Sequence, residues 1–414
     1  MNTPVVLDSR LAIDGGGPLC KQPFNPWPHY SDEEMTAVSE VLRSGKVNYW
    51  TGDHGRQFER EFADFCGAKY GVVVANGSVA LELALYALCL GPGDEVIVPS
   101  RTFIASASCA LVRRAVPVFA DVDPNSQNLT VESIRNACSP RTKVIVAVHL
   151  AGWPCDMDPI LEFAKQRRIR VIEDCAQAHG ATYKGRRVGA MGDVAAFSFC
   201  QDKIISTGGE GGMVLTNDAA LWQRMWSYKD HGRDYEAAAA SNGPGFRWVH
   251  PTVGTNFRMT EMQSAIGRLQ LRDLEGQLET RRNHAAVLTE RFGRIPGIRV
   301  ARPGAEISHA YYKYYAFVKP HQLLPGWHRD NIVAAICEEG VPCSVGSCSE
   351  VYLEKAFPEE MRPAERLENA RWLGETSLMF QVHPTLTKQN IEDTCRAVEK
   401  VMRAATRSKY QQAA

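Results

Sequence analysis

Between residues 72 and 215, short apolar runs rich in β-branched residues alternate with stretches of helical spacing. That alternation constrains the fold more than any other feature of the chain. Residues 72–75, 95–98, 116–120, 143–149, 170–174, 194–197 and 213–215 read as strands. Residues 79–90, 104–112, 131–137 and 157–166 carry the 3.6-residue period of helices between them. Antiparallel neighbours need only a tight turn, whereas parallel strands need a crossover, usually a helix. The pattern predicts an α/β domain with a mainly parallel, mixed sheet flanked by helices. In such sheets ligands gather beyond the carboxyl ends of the strands.

Four chemically distinctive residues fall at those ends: Ser78, Phe103, Asp174 and Lys203. Asn76-Gly77-Ser78 is a tight turn between a strand and a helix. The first amides of that helix lack partners and its dipole favours an anion, although many such turns bind nothing. Asp174 closes a strand beside Glu173. An aspartate there is commonly a helix N-cap, but a buried one calls for a cation. Phe103, taken alone, is a core aromatic. Lys203 follows an apolar run and precedes Gly208-Gly209-Glu210-Gly211-Gly212, four glycines in five positions. A solvated loop lysine is the ordinary reading. Desolvated, the amine would lose its proton more readily and become a nucleophile. The glycines would let the backbone turn tightly and approach another group closely. It is the convergence of the four on one edge that argues for a site.

The remaining chain suggests a second unit. A length of 414 residues suits one large and one small domain. Residues 1–23 form a weakly patterned arm, 24–262 the large domain, and 263–414 a bridging helix and a small C-terminal α+β domain. Ser31 and Glu34 make a capping box that opens a helix ending at Gly45. Residues 46–52, with Tyr49 and Trp50, are either a packed loop or a substrate-facing lid. Residues 54–66 and 219–229 are helical, and a polar stretch with Gly and Asn follows the second. A long helix runs from about residue 261 towards Leu288. Residues 311–318 read as a strand, and 331–339 and 388–402 as helices. Lys+Arg and Asp+Glu both number 47, so net charge offers no case for nucleic acid or an acidic membrane surface. Twelve scattered cysteines with no C-x-x-C pair argue against a metal site. No apolar run is long enough to span a bilayer and no signal segment is present, so a cytoplasmic location is expected.

The motifs together resemble the DegT/StrS family of sugar aminotransferases. The matching stretches are Asn76-Gly77-Ser78-Val79-Ala80, Pro99-Ser100-Arg101-Thr102-Phe103, and Glu173-Asp174-Cys175-Ala176-Gln177-Ala178-His179-Gly180. Further on come Ser198-Phe199-x-x-x-Lys203 with Gly209-Glu210-Gly211-Gly212, and Gly254-x-Asn256-x-Arg258-Met259-x-Glu261-x-Gln263. They appear in family order and span most of the chain. The resemblance implies the aspartate-aminotransferase-like fold type I and pyridoxal 5'-phosphate as cofactor. Lys203 would form the Schiff base and, once freed, move a proton. Asp174 would pair with the pyridine nitrogen, Phe103 would stack on the ring, and Gln177 would bond its hydroxyl oxygen. Ser78, the backbone at Val79 and Ser198 would hold the phosphate. Asn256, or else Arg258, would reach it across a homodimer with shared active sites. Arg258 could instead pair with Glu261.

The implied reaction moves an amino group from L-glutamate or L-glutamine to a nucleotide-linked keto-sugar or keto-cyclitol. Candidate substrate contacts are the 46–52 loop, Arg101, His231 and residues 311–315. Three alternatives stand beside it. A sugar dehydratase of the same group would carry histidine at Lys203. A cysteine desulfurase would use Cys343 or Cys348. A non-catalytic binding protein would usually have lost Lys203 or Asp174. Some features depart from the family pattern. Ser78 stands for a frequent threonine, and Thr207-Gly208-Gly209-Glu210 carries an additional glycine. Tyr228 to Arg233 resembles a histidine-glycine element in which His231 is structural or substrate-adjacent. His383-Pro384 is either a pocket turn or a helix-capping turn.

Overall fold

The computed structural model describes residues 10–239 and 248–406. The first nine residues of the expected arm, and much of the polar stretch after α7 below, lie outside the described residues. Helix α1 (Asp32–Ser44) opens on the expected capping box: Ser31 Oγ accepts from the Glu34 amide at 3.3 Å, and the Glu34 carboxylate accepts from the Ser31 amide at 2.6 Å. It ends at Gly45, which adopts a left-handed φ of 67°. Helix α2 (His54–Cys66) leads into β1 (Tyr70–Val74). Crossovers follow in order: α3 (Gly77–Ala87), β2 (Glu95–Pro99), α4 (Ala105–Val112), β3 (Val116–Ala120), α5 (Val131–Ala137), β4 (Thr142–Val148), α6 (Met157–Arg167) and β5 (Arg170–Asp174). A hairpin, β6 (Thr182–Tyr183) and β7 (Arg186–Arg187), precedes β8 (Val194–Ser198) and β9 (Gly212–Thr216). Helices α7 (Ala219–Lys229) and α8 (Tyr235–Ala239) come next.

The main sheet has seven strands in the order β1-β9-β8-β5-β4-β2-β3. β9 runs antiparallel to both neighbours and the other pairings are parallel. The reason is local: residues 199–211, between β8 and β9, contain no helix, so the chain returns beside the strand it has just left. Every residue of β2, β8 and β9 is buried, as expected for strands covered on both faces.

Helix α9 (Glu261–Phe292) is 32 residues long and joins two cores. Its Leu274 and Leu278 belong to the cluster around Phe62, Phe197 and Phe199, whereas Leu288 and Phe292 belong to a second cluster. That second core lies among β10 (Ile298–Val300), β12 (Tyr314–Val318), α10 (Arg329–Glu338), β13 (Cys343–Ser344), β14 (Ser377–Phe380) and α12 (Lys388–Ala405). The four strands form an antiparallel sheet in the order β10-β12-β14-β13. β11 (Ile307–Ser308) pairs instead with β6, and α11 (Glu368–Thr376) packs on β12. Leu11 and Cys20 from the arm are buried in the second core. Within the 46–52 loop Tyr49 is packed, while Lys46, Val47, Asn48 and Thr51 are exposed. Tyr49 is 2% exposed, its hydroxyl donates to Glu59 at 3.0 Å, and the Lys229 ammonium lies 3.6 Å from its ring centre.

Candidate active site

A cavity of about 880 Å³ opens beyond the carboxyl ends of the sheet and is closed by the segment leading into β12. Ser78, Val79, Phe103, Asp174, Gln177, Ser198 and Lys203 all line it. One end is the start of α3. Asn76 caps that helix through its side-chain oxygen, which accepts the Val79 amide at 3.0 Å. The expected backbone donor at Val79 is therefore already engaged. The open donors of the turn are the Gly77 and Ser78 amides, which lie too early in the helix for an internal partner. Gly77 is demanded by packing: a Cβ there would come within 2.5 Å of the Ser198 Cβ, so the two residues form one floor.

The middle of the cavity is aromatic and acidic. Phe103 is 63% exposed despite its size, so it is a cavity face and not a core residue. Asp174 is buried; one carboxylate oxygen accepts from Ser106 Oγ at 2.7 Å and the other from the Ala176 amide at 3.1 Å. Burial pushes its carboxyl above the ordinary value, and the two hydrogen bonds and the charge of Lys203 offset this only in part. Its neighbour Glu173 serves a different task. It is held by the Gly189, Met191 and Gly192 amides and by His149 Nε2 at 3.2 Å. Gln177 accepts the Ala151 amide on its side-chain oxygen at 2.7 Å, which leaves its NH2 group for a ligand.

Lys203 lies in the loop after β8, its side chain 17% exposed. Its Nζ donates to the Tyr312 hydroxyl at 3.4 Å and stands 3.6 Å from an Asp202 carboxylate oxygen. The Tyr312 hydroxyl in turn donates to Asp202. Burial pushes the Tyr312 phenol well up, so it remains protonated. Burial also acts to raise the Asp202 carboxyl, but the charge of Lys203 and the Tyr312 bond hold it below its ordinary value. Trp27 Nε1 donates to the Lys203 carbonyl at 2.9 Å. Sequence reasoning missed Trp27, Asp202 and Ser106. Of these only Asp202 carried a signal, its adjacency to Lys203.

Several other candidate residues do not line this cavity. Asn256 is exposed, does not line this chain's cavity, and accepts the Arg258 amide at 3.2 Å. Arg258 pairs with Asp230 at 2.6 Å and not with Glu261, whose carboxylate instead holds the His54 and Gly55 amides at the start of α2. Arg101 is fully buried and bonded to Gln127 and Ser377, which makes it a structural tie. His231 is exposed outside the cavity lining. His383 is buried, bonded to Gln381 and Thr385 and stacked on Trp27. The glycine run approaches the chain itself: a Cβ on Gly212 would meet the Asn76 carbonyl at 2.5 Å. Gly208 and Gly209 have φ of 82° and 120°, a region that favours glycine. Of the two loop cysteines only Cys348 lines the cavity, and burial pushes its thiol up, away from the thiolate a desulfurase needs.

The DegT/DnrJ/EryC1/StrS aminotransferase family profile matches residues 28–399. GDP-perosamine synthase of Caulobacter vibrioides is 44% identical over 270 residues, covering 64% of this chain and 70% of that protein. L-glutamine:2-deoxy-scyllo-inosose aminotransferase of Streptomyces kanamyceticus is 38% identical over 339 residues, 80% of this chain and 78% of that protein. The X-ray structure of the aminotransferase from Psychrobacter cryohalolentis superposes with a TM-score of 0.90 at 51% identity, covering 92% of this chain and 99% of that one.

Proposed function

The chain belongs to the DegT/DnrJ/EryC1/StrS aminotransferase family and is a sugar aminotransferase of amino-sugar biosynthesis, and we propose that it moves the amino group of L-glutamate or L-glutamine to a keto group of a nucleotide-linked sugar or a keto-cyclitol. The observation that carries this reading is that Ser78, Phe103, Asp174 and Lys203 line one cavity. We assign pyridoxal 5'-phosphate as the cofactor, and the cavity fits it. Phe103 leaves a large apolar face open, and among the described residues Asp174 is a buried acid bonded to a hydroxyl and an amide, while the Gly77 and Ser78 amides have no hydrogen-bond partner.

The Gly77 and Ser78 amides and the Ser78 and Ser198 hydroxyls would hold the phosphate. Val79 serves as wall, since Asn76 holds its amide. Phe103 would stack on the ring, the Gln177 NH2 would donate to its oxygen, and Asp174 would hold a proton at its nitrogen. When bound, the cofactor supplies an electron sink for charge that develops on the substrate carbon. Lys203 would hold the cofactor. Its amine would take the proton from the donor's α-carbon and, with the keto substrate, would deliver one to the carbon that receives the nitrogen. Tyr312 and Asp202 hold the amine between these roles.

The same proposal includes a homodimer in which Asn256 of one copy serves the other's cavity, consistent with an exposed Asn256 outside its own. It also includes a division of the chain near residue 262, where α9 sets out from the first core towards the second. No helix among the described residues is long and apolar enough to cross a membrane, and twelve free cysteines favour a reducing cytoplasm.

The test is spectroscopic. L-glutamate or L-glutamine should change the visible absorbance of the cofactor-loaded protein, and one member of a panel of nucleotide-linked keto-sugars and keto-cyclitols should restore it. Lys203→Ala should show neither change while keeping its far-ultraviolet circular dichroism. A wild-type protein that responds to neither donor would falsify the reading.

A further inference from the structure

Within the 311–315 segment, named above only as a candidate substrate contact, Lys313 has no specific task. It lines the cavity next to Tyr312, and the two neighbours reach the same space because the chain bends there, just after Tyr311 takes a left-handed φ of 49°. A straight strand would send them to opposite faces. Strain of this kind at a bulky residue persists only where surrounding contacts enforce it. They do so here: Tyr311 stacks on His309 at 3.9 Å, its amide donates to His309 Nδ1 at 2.8 Å, and the Tyr312 amide is held by the Ala151 carbonyl at 2.9 Å.

The bend places a cation where the cavity otherwise has few. Among the described residues lining it, Lys203 and Lys313 carry positive charge, while Asp174, Asp202, Glu210 and Glu354 are acids. Lys203 is committed to the cofactor. Lys313 is partly buried, its ammonium 4.7 Å from the centre of the Tyr312 ring, and no carboxylate of the described residues lies within ion-pair distance of it. Asp202 is the acid that acts on it from a distance, while Arg281 and Lys203 repel it. Asp202 is itself taken by the Tyr312 hydroxyl and Lys203. Among the described residues no side chain hydrogen-bonds the Lys313 ammonium, so its three donors are open to a ligand in the cavity.

We propose that Lys313 binds the α-carboxylate of the amino-acid donor and so fixes which bond of its α-carbon faces Lys203. The inference rests on the transaminase reading. An α-carboxylate is bonded directly to the carbon that surrenders its nitrogen, so its partner belongs beside the catalytic lysine. The phosphates of a nucleotide-linked sugar hang from the anomeric oxygen, farther from the carbon that receives the nitrogen, so a cation beside the catalytic lysine suits the donor's carboxylate better.

Donor half-reactions, followed by absorbance in single turnovers of the cofactor-loaded protein, test this with L-glutamate and L-glutamine separately. Lys313→Met should raise the half-saturating concentration of both donors by about 10- to 100-fold, the range for a lost hydrogen bond to a charged group. Lys313→Arg should recover part of the loss. The unloaded spectrum and circular dichroism of both variants should match wild type. If Met at this position prevents folding, Lys313→Gln gives the same comparison. Saturation within threefold of wild type for both donors overturns the proposal. A loss for glutamate alone overturns it too, because it would place Lys313 on the side-chain carboxylate. If the wild type answers neither donor, the transaminase reading fails and this inference falls with it.

Discussion

At Asp174 burial works against the ionised form of the acid. Burial raises its carboxyl pKa, so the group favours folding while protonated and loses that contribution as pH rises through its raised value. Asp174→Asn keeps the shape without the charge. Freed of cofactor, the variant should melt above cofactor-free wild type near neutral pH, and the gap should close as pH falls towards the ordinary value of 3.8. Its single-turnover rate with L-glutamate should fall roughly 100-fold while cofactor affinity changes far less. An unaltered rate would remove Asp174 from the ring nitrogen. Asp174, Phe103 and Lys203 could be found in the sequence because each combines a telling residue type with a strand end. The engaged Val79 amide and the Arg258–Asp230 pair could not, because several partners were chemically equivalent until distance chose among them.

At the scale of elements, caps do much of the positioning. Asn76 caps α3, and Glu261, at the start of α9, holds the first amides of α2. Ser198 ends β8 against Gly77 and directly opposite Gly212 of β9. The proposed phosphate floor therefore depends on three elements meeting at glycines. Gly77→Ala would drive its Cβ to 2.5 Å from Ser198 and displace either the hydroxyl or the helix start. The cofactor dissociation constant, read by absorbance titration, should rise about tenfold, or about 1.4 kcal/mol. An unaffected constant would show that the phosphate sits elsewhere. The capping box at Ser31 was visible in sequence because its partners are three residues apart. The cap that Glu261 supplies was not, because it spans more than two hundred residues.

Two predictions belong to the whole molecule. His179, His309 and His383 are each pushed from 6.5 to about 3, mainly by burial. Their folded pKa values lie below the unfolded ones, so the neutral forms support folding above about 6.5, and that support is lost as pH falls below it. The melting temperature should therefore drop steadily from pH 6.5 towards 3, and replacing His179 by Asn should flatten the early part of the fall. The proposed dimer gives the second. Lys203→Ala and Asn256→Ala should each be weak or inactive alone, but refolded together they should regain activity through mixed dimers that keep one intact site. Sedimentation should report twice the chain mass. A mixture no better than its components would confine each site to one chain.

The alternation of apolar runs determined the α/β sheet, since period and turn chemistry act over a few residues and survive any rearrangement of distant parts. The same locality made the cap at Ser31, the turn at Ser78 and the acid at Asp174 legible. Only the tertiary structure decided what surrounds Lys203. Trp27 lies 176 residues before it and Tyr312 109 residues after it, and they meet there because α9 links two cores that bury the arm and the second sheet together. Which hydroxyl faces an amine at 3.4 Å follows from the packing of both cores at once, and no short stretch of sequence contains that information.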